Sequence, residues 1–405
     1  QRMDRYDGEA ARLLDGGQAY HCWCTPDELE AVRREQAARK EAPRYNGRCL
    51  RLTDADRAAF AAEGRRPALR LKVPAEVIRF DDLIRGEVEF DNALLGDFLI
   101  VRESGVPLYH FVVVVDDEAM AISHVIRGED HLSNTPKHIA LIRALGYAEP
   151  RFGHIPLILN PDRSKMSKRK SQTAITAYRE QGYLPEAMVN FLAFLGWSPG
   201  TEEEIFSLDQ LAARFEIEHV HRAGAVFDAD RLDFLNGVYI RSLTDEQLAL
   251  RLRPFLPDGL DDASVLRVVP LVKERLVRLA DATELVAFLT EADDQVAARY
   301  DAEALLPRGR SAAEVAAGVE TARRDLAALT DADFAADLLE SRCRAAAEAM
   351  GWKAGDYFRP LRLAVTGRAV SPPLFGSMEL LGRQRVLARL DAALGKLSAA
   401  GVPSA

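Results

Sequence analysis

The sequence lacks long apolar runs and contains few cysteines. Its longest clean apolar run is FVVVV, from Phe111 to Val115, whereas a helix that spans a bilayer needs about 20 apolar residues. Four cysteines, at positions 22, 24, 49 and 343, do not make a disulfide framework for a chain of 405 residues. We therefore expect no membrane segment and a reducing, cytoplasmic environment.

Two common nucleotide-binding signatures are also missing. The sequence contains no G-x-x-x-x-G-K-[ST] loop and no G-x-G-x-x-G turn, so it supports neither a P-loop enzyme nor a dinucleotide dehydrogenase. The formal net charge of −9 argues against unspecific binding of polyanions. It leaves room for a local basic groove.

One strongly basic segment, NPDRSKMSKRKSQTA, interrupts this acidic chain. Its basic residues lie within eight positions and are Arg163, Lys165, Lys168, Arg169 and Lys170. A solvated surface charge run is the general alternative. The segment, however, follows a predicted buried strand, FGHIPLILN, and leads into a helix predicted from about Thr173, whose start favours anions. This placement predicts that the lysines surround a polyphosphate.

Strand and helix signals in the middle of the chain predict an α/β fold. FDDLIRGEVEF, DFLIVRESG and PLYHFVVVVDDEAM are short runs rich in Val, Ile and Phe, and they are predicted to be strands. AISHVI is a further predicted strand, and a helix is predicted from Thr135 to Leu145, with Pro136 in its first turn and Gly146 at its end. Ligands of open parallel sheets bind beyond the carboxyl ends of the strands. Both RGEDH and SKMSKRK follow predicted strands in this way.

Helical signals flank this region on both sides. The opening QRMDRYDGEA has no initiator Met and begins inside a predicted amphipathic helix, so we expect the printed chain to be a fragment. The apolar face of that helix contains Met3, Tyr6, Ala10, Leu13 and Leu14. After Leu243 strand signals vanish almost entirely, and segments such as SVLRVVPLVKERLVRLADATELVAFL carry helical periodicity. The C-terminal third is therefore predicted to be all-helical.

Several segments together resemble one protein family. SKMSKRKS is similar to the KMSKS signature of class I aminoacyl-tRNA synthetases, in the form typical of glutamyl-tRNA synthetase. The long stretch from PLYHFVVVV to FGHIPLILN is also similar to that family, as are GYLPEAMVNFLAFLGWSP, AGAVFDADRLDFLNGVYI and FRPLRLAVTGRAVSPPLFGSMELLGRQRVLARL. The resemblance spans essentially the whole chain. It implies a Rossmann-type nucleotide-binding domain with an α+β connective insertion, followed by an all-α anticodon-binding region.

The resemblance implies a glutamate–tRNA ligase. Such an enzyme activates L-glutamate with ATP, which enters with Mg²⁺ as substrate, and transfers glutamate from the adenylate to the 3′ end of tRNA(Glu). Lys165 and Lys168 match the two lysines of the signature and are implied to stabilise charge on the phosphates as catalytic residues, Lys168 above all. Ser167, Arg169 and His131 are implied to contact ATP.

Four residues are implied to contact the amino-acid substrate. Arg127 in VIRGED and Tyr109 match substrate-binding residues of the family, and Glu129 and Asp130 lie in the same connection as Arg127. A guanidinium binds a carboxylate bidentately, and a site built on that pair rejects an uncharged analogue. The general alternatives are that Arg127 at a strand end pairs with an acid such as Asp130, and that a strand tyrosine only packs.

Three cysteines near the N-terminus raise the question of a metal site. They are Cys22, Cys24 and Cys49. Zinc takes four thiolate or imidazole ligands, and some members of the family hold it here with a Cys-x-Cys and a Cys-x-His. This chain has Arg51 where the histidine stands, which leaves His21 and Tyr45 as candidate fourth ligands. The simpler interpretation is a lost site with reduced cysteines, so we expect no zinc.

The helical end is implied to contact tRNA. Arg275, in VKERLVRLADA, matches an arginine that discriminates the third anticodon base in some bacterial members; the alternative is an ordinary surface arginine of an amphipathic helix. Glutaminyl-tRNA synthetases carry β-barrels at this end, and glutamyl-queuosine enzymes lack the domain. We expect a monomer.

The resemblance also divides the chain. The implied segments are the remainder of the first Rossmann half (1–20), a connective or acceptor-binding insertion (21–107), the second Rossmann half (108–158), the KMSKS loop with a stem-contact region (159–242) and a helical anticodon-binding domain (243–405). The HIGH-type turn of class I synthetases does not occur in the sequence. We therefore expect the first β-α unit to be missing and the printed chain to be inactive alone; the alternative function is a catalytically incompetent module that only binds tRNA.

Overall fold

The computed structural model describes residues 2–167 and 174–400. Lys168 and Arg169, both predicted to contact ATP, lie outside the described residues. The chain forms two compact units. The first unit comprises Gln1–Met166, Ala193–Glu204 and Asp209–Phe227, and the second unit comprises Ser167–Leu192, Ile205–Leu208 and Asp228–Ala405.

Among the described residues the last strand ends at Val226, whereas helices occur throughout. The strands are β1 Ala19–Cys22, β2 Ala68–Leu71, β3 Val77–Asp82, β4 Gly86–Asp91, β5 Phe98–Val101, β6 His124–Gly128, β7 Arg151–Ile155, β8 Ile158–Leu159 and β9 Ala225–Val226. The helices up to residue 242 are α1 Met3–Asp15, α2 Pro26–Ala38, α3 Asp54–Ala62, α4 Asn92–Leu95, α5 Tyr109–Ala119, α6 Thr135–Leu145, α7 Ile175–Glu180, α8 Pro185–Phe194, α9 Leu208–Arg214 and α10 Ala229–Ser242. The later helices are α11 Asp245–Leu252, α12 Asp262–Val272, α13 Asp281–Val286, α14 Asp293–Ala297, α15 Ala312–Ala327, α16 Ala336–Ala349, α17 Ala354–Thr366, α18 Leu374–Leu381 and α19 Arg383–Ala400.

The first unit is built on small sheets. Its largest sheet has the strand order β4-β3-β7-β6, in which β3 and β4 form an antiparallel hairpin and β7 runs parallel to both β3 and β6. A second sheet has the antiparallel order β1-β2-β5, and β8 and β9 form a parallel pair. Since residues opposite each other on neighbouring strands point to the same face, the register that places Arg127 beside His154 fixes which side chains can meet.

The central β-α unit confirms the sequence prediction. The predicted strand AISHVI is β6, shifted a few residues towards its carboxyl end, and α6 has the predicted limits Thr135 and Leu145. Pro136 lies in the first turn, and Gly146 adopts a left-handed conformation (φ 66°) that ends the helix. The helix predicted from about Thr173 begins at Ile175 in the described residues.

The prediction of a strand in PLYHFVVVVDDEAM is wrong, because this segment forms α5. Val-rich sequences favour strands, but packing against neighbouring elements overrides this preference. The buried residues Phe111, Val114 and Val115 recur at helical spacing rather than at every second position. They pack in one core with α1 and α6, and the Tyr6 hydroxyl donates a hydrogen bond to Asp116 (2.9 Å) from α1.

The second unit confirms the predicted all-helical C-terminal third. Among its described residues after Leu243, regular structure consists of α-helices and short 3-10 helices. Its core joins α11 and α12 to α15, α16, α17 and α19. Within the described residues of the whole chain, no helix combines the length and the apolar character that a membrane span requires.

Candidate active site

Arg127 is the centre of a hydrogen-bond network at the carboxyl end of β6. Its Nε donates to Nε2 of His154 (3.1 Å), its Nη2 donates to the hydroxyl of Thr135 (2.8 Å), and its Nη1 lies 3.1 Å from Nδ1 of His138. All three partners are buried, and none of them is a carboxylate. Burial lowers the pKa of Arg127, while Tyr109 and Asp117 raise it. The guanidinium is thus fixed in place by neutral side chains.

A buried carboxylate lies behind this network. Oδ2 of Asp82 is 2.6 Å from Nδ1 of His154, and both side chains are fully buried. Oδ1 of Asp82 accepts the backbone N–H groups of Ile84, Arg85 and His154, at 3.0, 2.9 and 3.2 Å. Although burial raises the pKa of Asp82, these hydrogen bonds outweigh it and hold the pKa below its usual value. Asp82 is therefore an anchored carboxylate.

A pair of histidines continues the network on the side of α5. Nε2 of His138 lies 3.0 Å from Nδ1 of His110. Burial lowers the pKa of His138 to about 3 and that of His110 to about 4, and the charge of Arg127 contributes to both shifts. Both rings are accordingly neutral at physiological pH.

Two of the predicted ligand-contacting rings lie beside these histidines. Tyr109, the first residue of α5, is half-exposed, and its ring centroid is 6.1 Å from that of His138 and 6.2 Å from that of His131. Nδ1 of His131 lies 3.1 Å from Nδ2 of Asn134. The structure therefore brings Tyr109, Arg127 and His131 into one region, and their contacts with a substrate stay a prediction.

The predicted acidic residues occupy a 3-10 helix, Glu129–Asn134, directly after β6. Glu129 forms an ion pair with Arg85, and its Oε1 accepts the backbone N–H of Leu157 (3.1 Å). Asp130 forms an ion pair with Lys165, with 2.7 Å between Oδ2 and Nζ, and this pair lowers the pKa of Asp130. The alternative in which Arg127 pairs with Asp130 is thus wrong.

The basic loop is a tight turn in its described part. The backbone N–H of Asn160 donates to Ser164 O (2.8 Å), and Met166 N–H donates to Ile158 O (3.0 Å) after β8. Lys165 is exposed, and its ammonium reaches across to Asp130, as described above. Ser167 begins the second unit and is partly buried.

The three N-terminal cysteines converge in space. One sulfur from each of Cys22, Cys24 and Cys49 lies within 4.8 Å of the others, and the hydroxyl of Tyr45 is 3.8 Å from Cys22 Sγ and 3.5 Å from Cys24 Sγ. Hydrogen bonds from the other two thiols, together with Arg70, lower the pKa of Cys22. These residues supply three of the four ligands that zinc prefers, with a phenol beside them.

The other two residues considered for this cluster do not join it. His21 is exposed and neighbours the buried Cys22 on β1, where successive side chains point to opposite faces. Arg51 is an exposed residue at the end of a 3-10 helix, Arg48–Arg51. Cys22, Cys24 and Cys49 could thus fill three of the four coordination positions of a zinc ion. The expectation that no zinc is bound stays a prediction.

Arg275 belongs to the second unit and ends the 3-10 helix Lys273–Arg275. It is exposed, and its charge adds to the burial that lowers the pKa of Arg362. Arg362 donates hydrogen bonds to the Ser371 hydroxyl (2.9 Å) and to Pro372 O (3.0 Å). Two positive charges therefore lie near each other on this unit, an arrangement that favours an anionic partner.

Sequence reasoning missed the residues that surround Arg127. Asp82, His110, His138 and His154 were not candidates, although each interrupts an apolar segment with an ionisable side chain. Such an interruption signals a buried polar group that needs a partner. The partners themselves could not be named, because they depend on strand register and helix packing.

Comparisons with known proteins agree with this architecture. Residues 1–234 match the family described as tRNA synthetases class I (E and Q), catalytic domain, and residues 247–394 match the anticodon binding domain family. The glutamate–tRNA ligase of Acidothermus cellulolyticus is 43% identical over 417 residues, which cover 100% of this chain and 81% of that protein. That of Moorella thermoacetica is 43% identical over 406 residues, covering 97% of this chain and 81% of that protein.

A solved structure shows the same fold. The crystal structure of a glutamate tRNA ligase from Elizabethkingia meningosepticum, in complex with its amino acid, superposes with a TM-score of 0.80 at 30% sequence identity. The match covers 98% of this chain and 83% of that one. Together with the two family matches, these similarities show that the chain belongs to the class I aminoacyl-tRNA synthetases, in the glutamate–tRNA ligase family.

Proposed function

We propose that this protein is a glutamate–tRNA ligase, which activates L-glutamate with ATP and transfers it to the 3′ end of tRNA(Glu). Family membership supports the reaction, and one observation of the structure supports the substrate. Three neutral side chains hold the guanidinium of Arg127 by hydrogen bonds. Among the described residues, no carboxylate forms a direct hydrogen bond with it. Such a group binds a carboxylate strongly and an amide weakly.

The proposed amino-acid site lies around β6 and α5. Arg127 binds a carboxylate of glutamate, and the half-exposed Tyr109 contacts the same substrate. Glu129 and Asp130 supply negative charge for its ammonium group. An amino acid that lacks the side-chain carboxylate leaves the partly buried guanidinium without a counter-charge, which is the physical basis of selection against it.

The proposed ATP site includes the basic loop and His131. Lys165 and, by resemblance, Lys168 stabilise the charge that builds on the phosphates when the glutamate carboxylate attacks the α-phosphate and pyrophosphate leaves. Ser167 and Arg169 are further proposed contacts. Mg²⁺ enters with ATP and neutralises part of the phosphate charge.

The proposed tRNA contacts belong mainly to the helical end of the chain. The matched anticodon binding domain family covers residues 247–394, and the exposed Arg275 beside Arg362 gives it a local positive charge. We propose that residues 243–405 bind the anticodon region, residues 159–242 the stem and residues 21–107 the acceptor end. We further propose that the protein acts as a cytoplasmic monomer.

The test is ATP–pyrophosphate exchange that depends on glutamate, measured with tRNA(Glu) on the protein expressed from its full reading frame. Arg127→Ala should lower kcat/KM for glutamate by at least about 10³-fold, because it removes a desolvated charge pair. The matched control is Arg143→Ala, which removes an exposed arginine that pairs with Glu149 and Glu76. It should leave exchange nearly unchanged.

Two results would contradict the proposal. One is binding of tRNA(Glu) without any glutamate-dependent exchange, which is the behaviour of a module that only binds tRNA. The other is an Arg127→Ala variant with a normal KM for glutamate. Lys165→Ala tests the ATP site separately and should lower kcat by about 10²-fold, the usual cost of losing one donor to a developing charge.

A further inference from the structure

The network behind Arg127 allows only one arrangement of protons on His154. Asp82 is an anchored carboxylate and accepts, so Nδ1 of His154 must donate to it over 2.6 Å. Nε2 of His154 faces Nε of Arg127 and the hydroxyl of Thr135, each at 3.1 Å. Since an arginine N–H can only donate, Nε2 must be unprotonated and accept. His154 is therefore neutral and in a single tautomer.

The same reasoning applies to His138. Its Nδ1 faces Nη1 of Arg127, which can only donate, so the proton of the neutral ring is on Nε2 and points to His110. The depressed pKa values of His138 and His110 agree with neutral rings. Together with the hydroxyl of Thr135, the network presents three neutral acceptors to the guanidinium.

These acceptors orient Arg127 without cancelling its charge. A guanidinium has five N–H donors, and the three bonds use one on each nitrogen, so each terminal nitrogen keeps one N–H. A carboxylate in the position of His154 would pair with Arg127 directly and compete with any substrate carboxylate. The imidazole instead separates the charge of Asp82 from that of Arg127.

We propose that Asp82 and His154 are positioning residues for the amino-acid substrate, in which Asp82 fixes the tautomer of His154 and His154 fixes the guanidinium of Arg127 with its charge free for a carboxylate. The pair touches no substrate itself. This inference rests on the proposed role of Arg127 in binding glutamate.

Three elements bring the pair together. The parallel register of β6 and β7 sets Arg127 opposite His154, and the register of β3 and β7 sets Asp82 opposite Phe152. Three backbone N–H groups hold Oδ1 of Asp82, so its other oxygen can only face His154. The geometry leaves the carboxylate one function in the network, which is to accept from Nδ1.

The decisive variant is Asp82→Asn. Its amide oxygen should keep the three backbone hydrogen bonds, which turns the NH₂ group towards Nδ1 of His154. His154 must then accept at Nδ1 and carry its proton on Nε2, where it opposes the Nε–H of Arg127. Two N–H donors, one from His154 and one from Arg127, would then face each other, and this should displace the guanidinium. KM for glutamate should rise on the order of 30-fold. KM for ATP should stay within about threefold of the wild-type value.

Side-chain ¹⁵N NMR of histidine distinguishes this role from a merely structural one. Wild type should show His154 as the Nδ1–H tautomer, and the variant should show the Nε2–H tautomer. The matched control is Asp97→Asn, since Asp97 also accepts a backbone N–H, from Val73 (2.8 Å), and a side-chain donor, Tyr20 (2.6 Å), but shares no bond with Arg127. Its KM for glutamate should be unchanged.

Each outcome decides the matter. A changed tautomer with an unchanged KM for glutamate overturns the inference. An Nε2–H tautomer of His154 in wild type also overturns it, and this measurement does not depend on whether a variant folds. A KM for ATP that rises as much as that for glutamate indicates general damage and also overturns it. If Arg127→Ala leaves KM for glutamate unchanged, the proposed function of Arg127 fails first, whatever the tautomer of His154.

Discussion

His138 should remain neutral in the folded protein well below neutral pH. The free energy of unfolding should therefore fall when the protein is acidified. Its ordinary pKa of 6.5 is lowered to about 3 by burial and by the nearby charge of Arg127. In the unfolded chain the same ring takes up a proton below pH 6.5. The unfolded state therefore binds more protons than the folded state between pH 6.5 and about 3, and the free energy of unfolding falls as the pH drops through this range.

The size of the effect follows from the shift. One pH unit corresponds to about 1.36 kcal/mol, and about pH 5 lies roughly 1.5 units below the unfolded pKa and above the folded one. His138 alone should therefore cost about 2 kcal/mol of stability between about pH 7.5 and about pH 5. The loss of stability is absent above pH 6.5, because there both states leave the ring neutral.

The assay compares wild type with His138→Gln, which keeps a neutral acceptor and cannot titrate. Native-state hydrogen exchange of the α6 amides, at about pH 7.5 and about pH 5, gives the free energy of opening for this part of the first unit. The loss on acidification should be about 2 kcal/mol smaller in the variant. His219→Gln, at an exposed site, is the control and should lose as much as wild type. Equal losses in wild type and His138→Gln would refute the reasoning.

Two further predictions concern the second unit, whose unfolding the buried Trp352 reports by fluorescence in urea. Arg389 is fully buried, pairs with Asp293 and donates to several backbone carbonyls, so Arg389→Met should lower the free energy of unfolding by about 3–5 kcal/mol. Gly182 has φ +85°, and a Cβ there would lie 2.6 Å from the backbone nitrogen of Ala280, so Gly182→Ala should cost about 2–4 kcal/mol.

Each of these two variants has a matched control in the same unit. Arg323→Met removes an exposed ion pair on α15 and should have little effect, so an effect equal to that of Arg389→Met would contradict the first prediction. Gly309 has a similar φ of +78°, but nothing lies within 4 Å of where an added methyl group would be, so Gly309→Ala should cost only the backbone strain, about 1 kcal/mol. Equal costs at Gly182 and Gly309 would show that the chain beside Gly182 relaxes around the added methyl group.

Local signals predicted α6 well, because Pro136 and Gly146 act on their own stretch of chain. The Val-rich segment of α5 misled the prediction, since its strand preference is local whereas its burial against α1 and α6 is not. The sequence and the family resemblance raised Cys22, Cys24 and Cys49 as a possible metal site, and their sulfur atoms do converge.

The interior of the candidate site was beyond the reach of sequence patterns. Asp82 and His154 are 72 positions apart, and Asp130 and Lys165 are 35 apart. Contacts of this kind are decided by the register of parallel strands and by the path of loops, which a periodicity does not record. The resemblance to a family supplied Arg127 and Lys165 but not the groups that hold them.

The ion pair of Lys165 with Asp130 has a consequence for ligand selection. Both side chains are about half-exposed, so the pair is worth no more than about 1 kcal/mol. A polyanion that binds this loop would replace Asp130 as the partner of the Lys165 ammonium group, whose position the ion pair already restricts. A ligand with one weak negative charge would gain little over Asp130 by this exchange, whereas a triphosphate would present several negative charges to the same ammonium group. We therefore expect the pairing with Asp130 to favour highly charged ligands at Lys165.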